Sequence, residues 1–251
     1  MRSVSNSLLF VAILVMVFAG FEACSSDDEG AITTGSITLQ VTNLIGGQPL
    51  EVGSTRYTNE NGDEFDVSEF KFFISNIKLR NNTSGELFVA PDSYHLVEAT
   101  ATSHMFEFTI ADVPAGSYDQ IELAIGVDNG SNTSIDQLGD LDPTSNMAWN
   151  WNTGYKFLLI EGQYYPAGAD AAPMVYHIGS DPNYRKLTYP ASLTVAAGGT
   201  NTVNFTTEVQ NIFRSPNTIA FNADGPVKGG DVATAVAENY GTDFLTLTNA
   251  Q

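Results

Sequence analysis

DVPAGSYDQIELAIGV, residues 112–127, decides the fold. Val113-Pro114-Ala115-Gly116 supplies turn chemistry, and Tyr118 then enters a run in which Ile121, Leu123, Ile125 and Val127 alternate with other residues, the period of a strand. A tyrosine two residues past a Pro-x-Gly turn, leading into such a strand, has the form of the tyrosine corner of immunoglobulin-like sandwiches. Outward from this stretch the same period recurs. Ile37, Leu39 and Val41 alternate with Thr38, Gln40 and Thr42, which predicts a half-buried strand over 35–44. Similar patterns predict strands at 65–79, 87–89, 94–97, 105–110, 118–127, 147–160, 175–178, 193–195 and 203–209, punctuated by Gly, Pro, Asn and Asp. Many short strands with such turns predict an all-β, immunoglobulin-like β-sandwich. One segment breaks the pattern: over 230–240, Val232, Ala235, Val236 and Tyr240 fit a short C-terminal helix.

The chain of 251 residues carries 10 Lys plus Arg against 29 Asp plus Glu, a formal net charge of -19. No basic stripe exists to release counterions from a nucleic acid, so nucleic-acid binding is excluded. Arg2 precedes the apolar run Leu8–Ala19, which spans about 18 Å as a helix, against roughly 30 Å of hydrocarbon core. It is too short to cross. A basic start, an apolar middle and small residues before a Cys give a signal peptide over 1–23, and Ala23-Cys24 resembles a bacterial lipobox. Acylation of Cys24 explains why the only cysteine sits there, and it leaves no thiol for a disulfide or a thiolate metal site. Residues 24–35, opening Ser25-Ser26-Asp27-Asp28-Glu29, predict an acidic flexible tether like the export signal of Bacteroidetes surface lipoproteins. The expected location is the outer membrane, lipid-anchored and exposed at the cell surface. Residues 36–251 are then one folded domain.

Motifs for hydrolase, zincin and nucleotide chemistry are missing, and the many carboxylates cannot be sorted into an acid and a base by spacing. An enzyme is left unsupported rather than excluded, and the reading taken is of a protein that is not one, a carboxylate hydrolase ranking last for want of a motif. Asp128-Asn129-Gly130-Ser131-Asn132 offers hard oxygens at alternate positions but lacks the distal Glu of an EF-hand; a turn is the first reading and calcium a secondary one. The informative segment is LGDLDPTSNMAWNWNTGYKFLLIEG, residues 138–162, where Met147, Trp149 and Trp151 share one strand face and the 152–154 turn leads back through Tyr155. Core packing is the plain account of such aromatics. The three histidines are His95, His104 and His177. Without thiolates a soft metal site must draw on imidazole nitrogen and Met sulfur, a set suited to copper.

These blocks carry a resemblance. VSEFKFFISNIKL (67–79), YHLVE (94–98), PAGSYDQIELAIGVD (114–128), LDPTSNMAWNWNTGYKFLLIEG (141–162) and YHIGS (176–180) resemble the MbnP-like copper-binding family over most of residues 36–247. The resemblance implies a copper-binding sandwich served by a di-haem peroxidase-like partner that oxidises one tryptophan to kynurenine, whose amine helps hold Cu(I) beside histidines. It matches Trp149 and Trp151 to the tryptophan pair and His177 to the H-I-G histidine. It implies His95 as the second ligand, Met147 as a sulfur donor and Tyr155 as site-lining. Asp142, Glu161 and Glu98 become candidates to orient the imidazoles. His104 is expected at the surface. A second functional reading, a surface interaction or glycan-binding module without metal, would make Trp149, Trp151 and Tyr155 a solvent-facing platform.

Overall fold

The computed structural model describes residues 33–150, 152–221 and 225–250. Cys24, the signal peptide, most of the tether and Trp151 lie outside the described residues. The strands in chain order are β1 (Thr34–Ile45), β2 (Gln48–Pro49), β3 (Tyr57–Thr58), β4 (Glu64–Phe65), β5 (Glu69–Arg80), β6 (Leu87–Val89), β7 (Tyr94–Ala99), β8 (Met105–Pro114), β9 (Gly116–Ile125), β10 (Lys156–Tyr165), β11 (Ala172–Gly179), β12 (Arg185–Val195), β13 (Thr200–Glu208) and β14 (Leu245–Ala250). One helix, α1 (Gly230–Tyr240), matches the span its periodicity predicts.

The strands form two sheets. In the first, β14 pairs β13, β13 runs parallel to β1, and β8 and β2 pair β1 on its other side. In the second, the long strand β5 serves two ladders: its first half sits between β7 and β10, its second between β6 and β9. β10 passes on to β11, and β9 to β12. The main core lies between the sheets, where Ile37, Leu39 and Val41 meet Phe70, Phe72, Ile74, Leu158 and Ile160, and α1 closes it with Ala233, Val236, Ala237 and Tyr240. The Tyr240 hydroxyl donates to the Asn183 carbonyl and ties the helix to the loop after β11. This is an all-β sandwich with a short C-terminal helix.

Tyr118 is buried and donates its hydroxyl to the Pro114 carbonyl at 2.8 Å, the corner that residues 112–127 predict. β1 starts at Thr34, two residues inside the span expected as tether. Within 147–160 the turn expected at 152–154 forms: one isolated bridge joins Ala148 and Tyr155 across it, Met147 to Asn150 are not part of a regular strand, and the strand proper begins at Lys156. Asn152-Thr153-Gly154 reverses the chain there, so the alternation of Met147 and Trp149 belongs to one arm and Tyr155 onward to the other.

The second sheet also buries its other face. Phe73, Val127, Leu141, Met147, Tyr155, Phe157 and Leu159 form a smaller cluster beneath the long connection between β9 and β10. That covered outer face holds the candidate site.

Candidate functional site

Register across four strands builds the floor of the site. His177 on β11 is opposite Leu159 on β10, Leu159 is opposite Lys71 on β5, and Lys71 is opposite Glu98 on β7. Leu159 belongs to the outer cluster, so the alternation of a pleated sheet puts His177, Lys71 and Glu98 on the outer face with it. Glu161 and Glu69, paired across the same strands two residues along, share that face. The charges are tied together: His177 Nε2 lies 2.6 Å from Glu161 Oε1, and Lys71 Nζ lies 3.0 Å from Glu69 and 3.2 Å from Glu98.

The connection from β9 supplies the roof. A short turn over Pro143–Ser145 is capped by Asp142, which accepts from Thr144 N at 2.8 Å and Thr144 Oγ1 at 2.7 Å. Asn146 ends it in the left-handed region at φ 65°. Two lysines from the floor then hold the roof down: Lys71 Nζ donates to the Ser145 carbonyl at 3.4 Å, and Lys156 Nζ to the Asn146 carbonyl at 2.6 Å. The next arm brings Trp149 over His177, with ring centroids 6.3 Å apart at 54°. Gly179 permits this approach, and Gly162 admits the backbone of Asp66 beside the same strand pair. A Cβ on Gly179 would stand 2.4 Å from the Tyr155 carbonyl oxygen and 2.9 Å from Trp149 Cζ2; one on Gly162 would stand 2.1 Å from the Asp66 carbonyl oxygen. These are the glycines of the H-I-G and E-G motifs.

His177, Glu161, Trp149, Lys156, Asn146 and Lys228 line a cavity of about 160 Å³. Burial pulls the His177 pKa below its ordinary value and outweighs the opposing hydrogen bond from Glu161; Lys156 and Lys228 push the same way as burial. The imidazole is therefore neutral near pH 7. With the carboxylate accepting, Nε2 carries the proton and Nδ1 keeps a lone pair, the arrangement in which a second group orients a ligating histidine. Lys156 is held below the usual lysine range, first by burial and then by Lys228 and Lys71, against Glu161 and Glu69.

The structure brings together His177, Glu161 and Trp149, and it does not bring His95 to them. His95 pairs with Ile74, whose side chain is in the main core, so it projects to the opposite face of the sheet. There it stacks on Phe108 of β8 at 3.6 Å and 13°. Burial pushes its pKa down to about 4 against the nearby Asp140. Its Nε2 is buried without a hydrogen-bond partner. His104 is on the first-sheet side, half-buried just before β8, its carbonyl accepting from Asn43 N. Glu98 serves Lys71 rather than a histidine, and Asp142 serves the roof turn. Met147 and Tyr155 are fully buried in the outer cluster, the Tyr155 hydroxyl donating to the Leu141 carbonyl at 2.8 Å. With Trp149 only 5% exposed, Trp149 and Tyr155 form no solvent-facing platform.

Asp128, the head of the candidate calcium loop, accepts from Asn76, Tyr94 and Gly130 N, while Asn129 and Asn132 both donate to Asp181. These oxygens and amides are knitted into a turn. Sequence reading did not single out Lys156, Lys71 or Lys228. A signal was present for Lys156, a charge set inside the apolar run Tyr155–Ile160.

Among the described residues no three His, Cys, Asp or Glu side chains converge as a metal-holding group. The cavity offers one imidazole in a fixed tautomer and one carboxylate, beside two ammonium groups that repel a cation. That set fits one ligand of a soft copper site and not a two-imidazole site.

A family model, MbnP, matches residues 34–232. Among solved structures, MbnP from Methylosinus trichosporium is similar in fold, with a TM-score of 0.53 and 16% identity over 80% of this chain and 83% of that one. A search of curated proteins returned no match.

Proposed function

Because the chain belongs to the MbnP family, its match covering most of both sheets, we propose that it is a lipid-anchored, cell-surface protein that captures or stores Cu(I) and performs no turnover of its own. The observation that carries this reading is His177, held neutral by Glu161 beneath Trp149 in a cavity. His177 supplies one nitrogen, and Glu161 fixes its orientation. The further donor in this reading is the amine of a kynurenine made from Trp151 or Trp149 by a di-haem partner. That route accounts for a cavity with a single imidazole. His95, on the other face of the sheet, takes no part.

The test is competition for Cu(I) against a chromophoric chelator, using native material whose tryptophans have been mapped by peptide mass. His177→Ala should lower affinity at least about tenfold, the equivalent of roughly 1.4 kcal/mol. His104→Ala should leave it unchanged. Equal affinity in wild type and His177→Ala, or a map with both indoles intact in copper-loaded protein, defeats the reading.

A further inference from the structure

Lys156 is buried, at 6% exposed, with its ammonium 6.0 Å from the centroid of the Trp149 ring, and no carboxylate among the described residues pairs with it directly. Its ammonium donates to the Asn146 carbonyl at 2.6 Å and approaches Asn146 Oδ1 at 3.4 Å, both neutral oxygens. Among the described residues no carboxylate forms an ion pair with it, whereas Lys71 has Glu69 and Glu98, and Arg80 has Glu122. A buried ammonium without a counter-charge is costly, and natural sites pair such groups. Lys156 faces the 160 Å³ cavity together with Lys228, and among the described residues Glu161 is the one carboxylate lining it. Among the described residues that line it, two ammonium groups stand against one carboxylate, a local positive excess in a chain whose formal net charge is -19.

We propose that this cavity seats a small free carboxylate, a monoanion held between Lys156 and Lys228. The volume is far above the roughly 10–15 Å³ that admits one water and below the roughly 300 Å³ at which drug-sized sites begin, so the ligand has a few heavy atoms. Charge balance selects a monoanion, because a dianion would add repulsion from Glu161. Asn150, which also lines the cavity, carries an amide that can donate. The seat shares its cavity with His177, but it rests on Lys156 and Lys228 and not on the donor set of the copper reading.

The experiment titrates sodium acetate into metal-free protein at constant ionic strength, with sodium sulfate as the balancing salt, and follows the His177 ring resonances by NMR. A saturable shift with a millimolar midpoint is expected. Lys228→Ala, at an exposed position, should weaken it about tenfold, Lys156→Met should abolish it, and Glu161→Gln should tighten it. A linear response, an unchanged midpoint in Lys228→Ala, or saturation by sulfate in preference to acetate overturns the proposal. If Lys156→Met does not fold, Lys228→Ala decides alone. Metal-free protein keeps the outcome separate from that of the copper titration.

Discussion

Replacing Gly179 by alanine tests the packing on which the site depends. Gly179 has an ordinary negative-φ strand backbone, so the substitution carries no dihedral strain and acts through the new methyl group alone. That methyl would sit 2.4 Å from the Tyr155 carbonyl oxygen, 2.9 Å from Trp149 Cζ2 and 3.1 Å from Trp149 Nε1. Two of the three obstacles are an indole edge and the third is backbone. The indole is 5% exposed and has no solvent to retreat into, and the carbonyl lies where β10 and β11 shift register between Lys156 and Leu158. Relief therefore requires the roof arm to lift or the ladder to open. Overpacking of this kind costs about 1–3 kcal/mol, and a clash with backbone belongs in the upper half of that range. For a domain of this length the loss corresponds to a fall in Tm of roughly 4–12 °C. The assay is thermal unfolding followed by circular dichroism, with tryptophan emission read in a Trp151→Phe background so that Trp149 alone reports. Its emission should shift to the red as the ring leaves Gly179. Gly116→Ala is the control: its new methyl meets only Glu86 Oε2, at 3.5 Å, and should change stability by no more than about 0.5 kcal/mol. A Gly179→Ala protein that melts with wild type and emits at the same wavelength would refute the stacking of Trp149 on this backbone.

His95→Phe keeps a ring on Phe108 and removes an unpartnered buried nitrogen, so stability near pH 7 should hold or rise. The pH dependence gives the sharper readout. A folded pKa of about 4 against an ordinary 6.5 means that, between these values, the unfolded chain takes up a proton that the folded protein refuses; the stability contributed by neutral His95 is present above pH 6.5 and lost as pH falls towards 4. Urea unfolding across that window should show a shallower loss in His95→Phe than in wild type, and parallel curves would contradict the buried placement. His177 is shifted in the same direction but is common to both proteins, so the difference isolates His95. Cys24→Ser should move the protein from the membrane fraction to the soluble fraction of its host, and continued membrane retention would count against acylation of that residue.

The sequence pattern made the sandwich legible where one face of a strand is wet, and it lost the thread where both faces are dry. β1 alternates cleanly because its outer face meets solvent, and the Tyr118 corner carries its own local chemistry. β12 was legible only at 193–195, because Pro190 and a register shift between Pro190 and Leu193 interrupt its period. β14 lies outside the predicted strands, although Leu245 and Leu247 alternate there with threonines. The second sheet is the instructive case. Its outer face is covered by the roof, so β5 and the start of β10 read as near-continuous apolar runs, as strands buried on both sides do. In such a run period two no longer tells inside from outside, and His95 and His177 could be taken for neighbours. Their separation follows only from register: His95 shares parity with Val97 and Ala99 in the main core, whereas His177 alternates with Tyr176 and Ile178, which occupy that core, and so it points away from it. What the run does mark is its exceptions. Lys71, Lys156, Glu161 and His177 are polar residues set among large apolar ones on β5, β10 and β11, and all four face the roofed side, where each finds a carboxylate, a carbonyl or a cavity. In a sheet buried on both faces, interruptions of the apolar run help locate the side that does chemistry, and here three of them, Lys156, Glu161 and His177, line one cavity under Trp149.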